Sequence, residues 1–187
     1  MPTLSEIIKE AESKMLKSVE AARHEFSTLR TGRANPALLD GINVESYGTS
    51  MPINQVAQIH ATDARQIVIS PYDRSMLGPI EKAIKISDLN INPVNDGIGI
   101  RLNLPPLTND RRKEMVKVLQ RKAEEGKVSV RNIRRDFNEQ IKQLEKKSEV
   151  SKDDAKRSED QLQKLTDRHI AQIDELQKTK EAELLEV

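Results

Sequence analysis

Between Met115 and Leu144 the residues Met115, Leu119, Ala123, Gly126, Val130, Ile133, Phe137, Ile141 and Leu144 recur at a mean step of about 3.6, the period of an α-helix. Sustained over about forty residues, the pattern predicts one helix of about 60 Å. A helix of that length buries its stripe only against other long helices. Two further stretches can supply them. Leu4, Ile8, Ala11, Met15, Val19, Ala22, Phe26 and Leu29 form an earlier stripe, opened by Thr3 and Glu6 in the spacing of a capping box. Leu162, Leu165, Ile173, Leu176 and Leu184 form a later one, with His169 on or near it. Thr108 can cap the middle helix, with Asp110 in its first turn. The segment "KKSEVSKDDA" interrupts the pattern, and Ser151 with Asp154 offers a second capping box, Val150 and Ala155 its staple. The three stripes together predict an antiparallel three-helix bundle.

Between the first two helices the texture changes. "GINVESYG", "AQIHAT", "RQIVIS" and "GIGIRLNLP" are short, rich in Ile and Val, and bounded by Gly, Pro, Asn and Asp, as strands are. "RSMLGPIEKAIKISDL" reads as one short helix and "NPVNDG" as a turn. Six of the eight prolines fall between residues 31 and 105. The expected fold class is therefore α+β: a bundle of residues 1–30 and 106–187 with a small, mostly β domain inserted at 31–105. In "LRTGRANPALLDG", Gly32 suits a helix C′ position, Arg30 would lie in the last turn, and Pro36 cannot continue the helix. Pro105 and Pro106 hold the return segment extended. Thr31, Gly32, Pro105 and Pro106 are thus the expected hinge between domains.

With no cysteine, disulfides and cysteine-ligated zinc are excluded. The three histidines, His24, His60 and His169, lie far apart, with no HExxH pattern and no second ligand one turn away. "GIGI" at 97–100 lacks the third glycine and the helix of a dinucleotide fingerprint, so it reads as a hairpin. No catalytic residues, metal or cofactor are expected, and the chain is not expected to be an enzyme. The amino-terminal stretch is charged within six residues, unlike a signal peptide, and no run of eighteen apolar residues occurs. A cytoplasmic protein without membrane contact is the expectation, and three stripes that satisfy one another favour a monomer.

The net charge of +1 conceals an uneven distribution. Residues 108–147 hold thirteen basic and seven acidic side chains, whereas residues 148–187 hold seven basic and eleven acidic ones. At about 100° per residue, Arg131, Arg135, Lys117 and Lys142 fall within about 40° of one another and well away from the apolar stripe. Arg134 flanks the stripe, its stem expected to pack and its head to be free. A solvated face paired with acidic neighbours on the third helix would account for the charge alone. Three arginines within one and a half turns, with only Asp136 beside them, suit phosphate better. A second cluster is expected from Arg30, Arg33, Arg111 and Arg112, about 35 Å away along the helix. Two tyrosines and two phenylalanines leave little for base stacking, so phosphate is the expected target in any nucleic acid.

At these residues the chain resembles the bacterial ribosome recycling factor family. The resemblance rests on "LRTGRANPALLDGINVESYGT", "YDRSMLGPIEKAI", "LNLPPLTNDRRKEMVK", "VRNIRRDFN", "SKDDAKRSEDQLQKLTD" and the terminal "KEAELLEV", in the family's order and spacing. Asn35 stands where Ser is common in that family, a change expected to be tolerated at a solvated turn. The resemblance implies an L-shaped molecule that binds the post-termination ribosome, its bundle lying on large-subunit rRNA. It implies that elongation factor G, with GTP, then drives the subunits apart and that mRNA and deacylated tRNA are freed. It carries rRNA contact over to Arg134, and with it to Arg131, Arg135, Arg112, Arg30 and Arg33. The rival from another class is a coiled-coil scaffold or chaperone-like module, which would expose an apolar seam for partner helices. An enzyme built on the small domain is the weaker rival.

Overall fold

The computed structural model describes residues 3–185; Met1, Pro2, Glu186 and Val187, the last two closing the "KEAELLEV" segment, lie outside the described residues. In chain order the elements are α1 (Leu4–Ser27), β1 (Asn43–Ser46), β2 (Thr49–Pro52), α2 (Ile53–Val56), β3 (Ala57–Asp63), β4 (Gln66–Pro71), α3 (Leu77–Ile86), β5 (Pro93–Asn95), β6 (Ile100–Asn103), α4 (Asn109–Lys146) and α5 (Lys152–Leu185). Single 3-10 turns occupy Pro36–Leu39 and Arg74–Met76. The chain is α+β and forms two compact units, one of Met1–Phe26 with Val116–Val187 and one of Ser27–Met115.

The first unit is the helical bundle. Ile7, Ile8, Ala11, Met15, Val19, Ala22 and Phe26 of α1 are buried with Leu119, Ala123, Val130, Phe137, Ile141 and Leu144 of α4 and Leu162, Leu165, Ile173 and Leu184 of α5. Each large apolar side chain so buried stabilises the fold by about 1.5–3 kcal/mol before the entropy of ordering it is counted. Cross-helix contacts fix the directions. Ser18 meets Ser129 at 3.0 Å, Glu25 pairs with Lys122, and Lys14 lies 5.0 Å from the Phe137 ring centre, so α1 and α4 run antiparallel. Lys127 reaches Asp174 at 2.9 Å and Arg134 reaches Gln163 at 2.8 Å, so α4 and α5 are antiparallel too. His169 is 2% exposed, and its Nδ1 donates to the Leu165 carbonyl at 2.7 Å, which makes it a core residue satisfied one turn back.

The helix ends form as their residues dictate. Thr3 Oγ1 accepts from Glu6 N, and Glu6 Oε2 accepts from Thr3 N at 2.7 Å, the reciprocal bonds of a capping box. The Thr3 N–H bond, and after it one from the Thr3 hydroxyl at 3.1 Å, hold the Glu6 carboxyl below its ordinary pKa. At the end of α4, Glu149 N–H bonds the Leu144 carbonyl and Ser148 N–H the Glu145 carbonyl, with Ser148 at φ +58. This is a Schellman stop with serine where glycine is usual. Ser151 Oγ then accepts from Asp154 N at 3.1 Å and opens α5.

The second unit is built on a four-stranded antiparallel sheet in the order β3-β4-β6-β5, with the separate hairpin β1-β2 and helix α3 beside it. Ile67 and Ile69 on β4 pair with Leu102 and Ile100 on β6, and all four turn into a core shared with Val44, Ile53, Ile80 and Ile84. Alternation on the two central strands places one face inward. The β1-β2 turn has positive φ at both Tyr47 and Gly48, the signature of a type I′ turn. In the β5-β6 hairpin, Asp96 Oδ1 accepts from Ile98 N and Gly99 N, and a Cβ on Gly99 would stand 2.9 Å from the Ile69 carbonyl oxygen. "GIGI" is therefore a hairpin that admits glycine alone at its third position.

Three local expectations differ. Helix α1 stops at Ser27, so Arg30 lies beyond its last turn, and Gly32, at φ +83, serves the loop rather than the helix end. Pro93–Asn95 of "NPVNDG" is an edge strand, where a leading proline costs no ladder bond. Asn35 is half-buried: its Oδ1 caps the Pro36–Leu39 turn through Ala37 N at 3.0 Å, and its Nδ2 donates to the Ser27 carbonyl at 3.3 Å. It is a cap, not a solvated turn residue. Strand β2 and the single-turn α2 carry too few residues for a period to show.

Candidate nucleic-acid interface

The first group of cations lies on α4 within the bundle unit. Capping by Thr108, whose Oγ1 accepts from Arg111 N at 3.2 Å, sets the phase of a helix that runs unbroken to Lys146. That phase turns Leu119, Val130, Phe137 and Ile141 inward and leaves Lys117, Arg135 and Lys142 exposed. Arg131 and Arg134 sit at the edge of the stripe, partly exposed.

The three arginines meet different surroundings. Arg135 has no hydrogen bond or ion pair among the described residues. Arg131 Nη1 donates to Glu124 Oε1 at 2.7 Å, so a carboxylate two turns back compensates its charge. Glu124 also lies 3.4 Å from Lys127, which bonds Asp174 at 2.9 Å. Bonding to Arg131 first, and to Lys127 after it, lowers the pKa of the Glu124 carboxyl, and the bond to Asp174 raises that of Lys127. Arg134 Nη1 donates to the neutral Oε1 of Gln163 at 2.8 Å, and Gln163 Nε2 donates to Asp167 Oδ1 at 2.8 Å. Two expectations are corrected here. The Arg134 head is hydrogen-bonded rather than free, because α5 brings Gln163 within its reach. Asp136 is not the one acid beside the group, because residues seven apart share a helix face and Glu124 stands seven before Arg131.

The second group lies within Ser27–Met115. Arg30 Nη2 donates to the Pro105 carbonyl at 2.6 Å, while its buried Nε has no partner. Burial, and then the nearby Arg111, lowers the pKa of the Arg30 guanidinium from its ordinary value. Arg111 itself pairs with Glu114 at 2.7 Å, and Arg33 and Arg112 are each engaged within the chain. Thr31, Gly32, Pro105 and Pro106 belong to this unit, where Leu107 lies 3.9 Å from the place a Gly32 Cβ would occupy. Arg30 thus ties the two segments together and is less available to a polyanion than Arg135.

Gln163, Asp167 and Glu124 were not singled out from sequence. Glu124 had a signal in its seven-residue spacing; Gln163 acts across helices, and no single-helix pattern marks it. Among the described residues no group of three or more His, Asp or Glu could hold a metal ion, and no helix is long and apolar enough to cross a membrane.

Comparison with known proteins gives one consistent outcome. The family profile described as ribosome recycling factor matches residues 22–185. The ribosome-recycling factor of Symbiobacterium thermophilum is 53% identical over 182 residues, covering 97% of this chain and 98% of that one. A solution structure of the ribosome recycling factor superposes with a TM-score of 0.77 at 44% identity, covering both chains fully. A second structure superposes with a TM-score of 0.69 at 46% identity, over 99% of this chain and all of that one. It describes the ribosome recycling factor of T. thermophilus and elongation factor G of E. coli bound to the E. coli post-termination complex.

Proposed function

Because the chain belongs to the ribosome recycling factor family, we propose that it binds the post-termination ribosome in the cytoplasm and, with elongation factor G and GTP, promotes separation of the subunits. Release of mRNA and deacylated tRNA accompanies that step. The bundle docks on large-subunit rRNA through the outer face of α4, with Arg134, Arg135 and Arg131 on phosphates and Arg112, Arg30 and Arg33 in a lesser part. The observation that carries this reading is the pair Arg134 and Arg135: consecutive arginines at a bundle surface with no carboxylate bound to either among the described residues. Such groups are built for phosphate, and their binding releases counterions. The protein itself breaks no covalent bond; it works as a monomeric wedge, and GTP is the business of elongation factor G. Thr31, Gly32, Pro105 and Pro106 are where the chain bends during that work, the two prolines limiting how far.

The scaffold reading is weaker on the same evidence. Among the described residues the exposed large apolar side chains of the bundle unit are Leu16, Val128 and Leu185, one on each helix, which make no seam for a partner helix.

The test is light scattering of vacant ribosomes mixed with the protein, elongation factor G and GTP, each omitted in turn. A fall in scattering that needs all three supports the reading; none with all three present refutes it. Arg134→Ala should weaken co-sedimentation with ribosomes about tenfold or more and flatten its salt dependence by close to one ion. Pro105→Gly with Pro106→Gly should leave co-sedimentation intact and slow splitting, and an unchanged splitting rate would remove the prolines from the mechanism.

A further inference from the structure

We infer that Gln163, on the neighbouring helix, is a positioning residue for Arg134: its amide oxygen fixes the guanidinium without cancelling its charge, and Asp167 fixes the amide. The inference rests on the phosphate-binding reading of the α4 face.

The chemistry of the three groups leaves one arrangement. A guanidinium offers donors only and a carboxylate acceptors only. Gln163 lies between them, so its oxygen must face Arg134 and its nitrogen Asp167, as the two 2.8 Å bonds have it. Asp167 stands one turn beyond Gln163 on α5, and the bond between them holds the amide rotor that would otherwise turn. The long Arg134 side chain is therefore ordered before any ligand arrives, and the rotamer freedom that binding would remove is already gone. One of its N–H groups is used and the others remain for phosphate oxygens.

Arg131, one turn away, shows what a different partner does. Its guanidinium is held by Glu124 at 2.7 Å, and a phosphate approaching it must displace a carboxylate. A neutral amide orients at no electrostatic loss, whereas a carboxylate orients and competes. Arg134 is thus the poised cation of the group, and Gln163 is the reason.

Gln163 is exposed, so its replacement leaves the bundle core untouched. The full chain carrying Gln163→Leu or Gln163→Glu, each with and without Arg134→Ala, would be co-sedimented with vacant ribosomes across a salt series. Gln163→Leu removes the acceptor and keeps the cation: binding weakens about fivefold with an unchanged salt slope. Gln163→Glu keeps the acceptor and cancels the cation: binding weakens further, and the slope falls by about 0.7–0.9. The Gln163→Leu loss vanishes when Arg134 is already alanine, and Gln163→Glu then keeps only the part owed to its own added charge. A purely structural role for Gln163 predicts instead that the Gln163→Leu loss survives beside Arg134→Ala. Parental affinity in either single variant, or a Gln163→Leu loss that persists beside Arg134→Ala, overturns the inference. If Arg134→Ala weakens binding while the Gln163 variants do not, the positioning role alone falls; if Arg134→Ala has no effect, the reading of the face falls with it.

Discussion

Gly126, in the middle of α4, is predicted to be worth more to the bundle than alanine, against the ordinary preference of helices. In an isolated helix Gly→Ala would stabilise by about 1 kcal/mol. Here a Cβ at position 126 would stand 3.2 Å from the Ala22 Cβ on α1 and 3.4 Å from Ile173 Cδ1 on α5. Ile173 can yield by rotation, although it is fully buried. Ala22 cannot, because its Cβ is fixed to the α1 backbone, and relief requires α1 and α4 to part by a few tenths of an ångström. Overpacking of this kind costs about 1–3 kcal/mol, so Gly126→Ala should lose about 1 kcal/mol net. The assay is urea unfolding followed by helical circular dichroism, with a lower midpoint at constant slope. The partner variant makes the cause specific. Ala22→Gly opens the same space from the other side, so the double variant exchanges one Cβ for another across the interface. It should regain most of the loss, giving a coupling of about 2 kcal/mol. Gly126→Ala more stable than the parent, or additive single losses in the double variant, would refute the claim that close approach of the helices is what glycine supplies.

Two other outcomes follow from the electrostatics. Glu124→Gln should tighten ribosome binding and steepen its salt dependence by releasing Arg131, and the gain should disappear in an Arg131→Ala background; a gain that survives there would reflect overall charge instead. The Asp96 carboxyl is held below its ordinary pKa by the Gly99 and Ile98 N–H groups, with Arg101 assisting. Because the folded value is the lower one, its stabilisation is fully present above the ordinary carboxylate pKa and is lost as pH falls through the folded value. Urea midpoints measured from pH 7 to pH 3 should therefore drop more for the parent than for Asp96→Asn, and parallel curves would show that the turn does not depend on that charge.

What could be read from the sequence divides along one physical line. Period, caps and turn residues are local, and they were legible: the three stripes, the first as far as Phe26, the box at Thr3, the serine cap at Ser151 and the hairpin at Gly97–Gly99 stand where the residues placed them. The α1 terminus was misplaced because Gly32 is a good C′ residue wherever it lies, and what makes Ser27 the stop is the Asn35 amide bonding its carbonyl from eight residues on. The candidate interface fell on the far side of the line, because the partner of a surface arginine belongs to another helix. Yet even that was partly encoded. The Lys127–Asp174 and Arg134–Gln163 pairs each have their midpoint within the link of residues 147–151. Antiparallel helices joined by a tight link are in register by reflection through it, so the Schellman stop at Ser148 and the cap at Ser151 decide which residue of α5 faces which arginine. Lengthening that link by one residue would shift the reflection, and Arg134 would meet a different α5 side chain. Which partner each cation of the candidate interface meets is thus set by a turn some fifteen residues away.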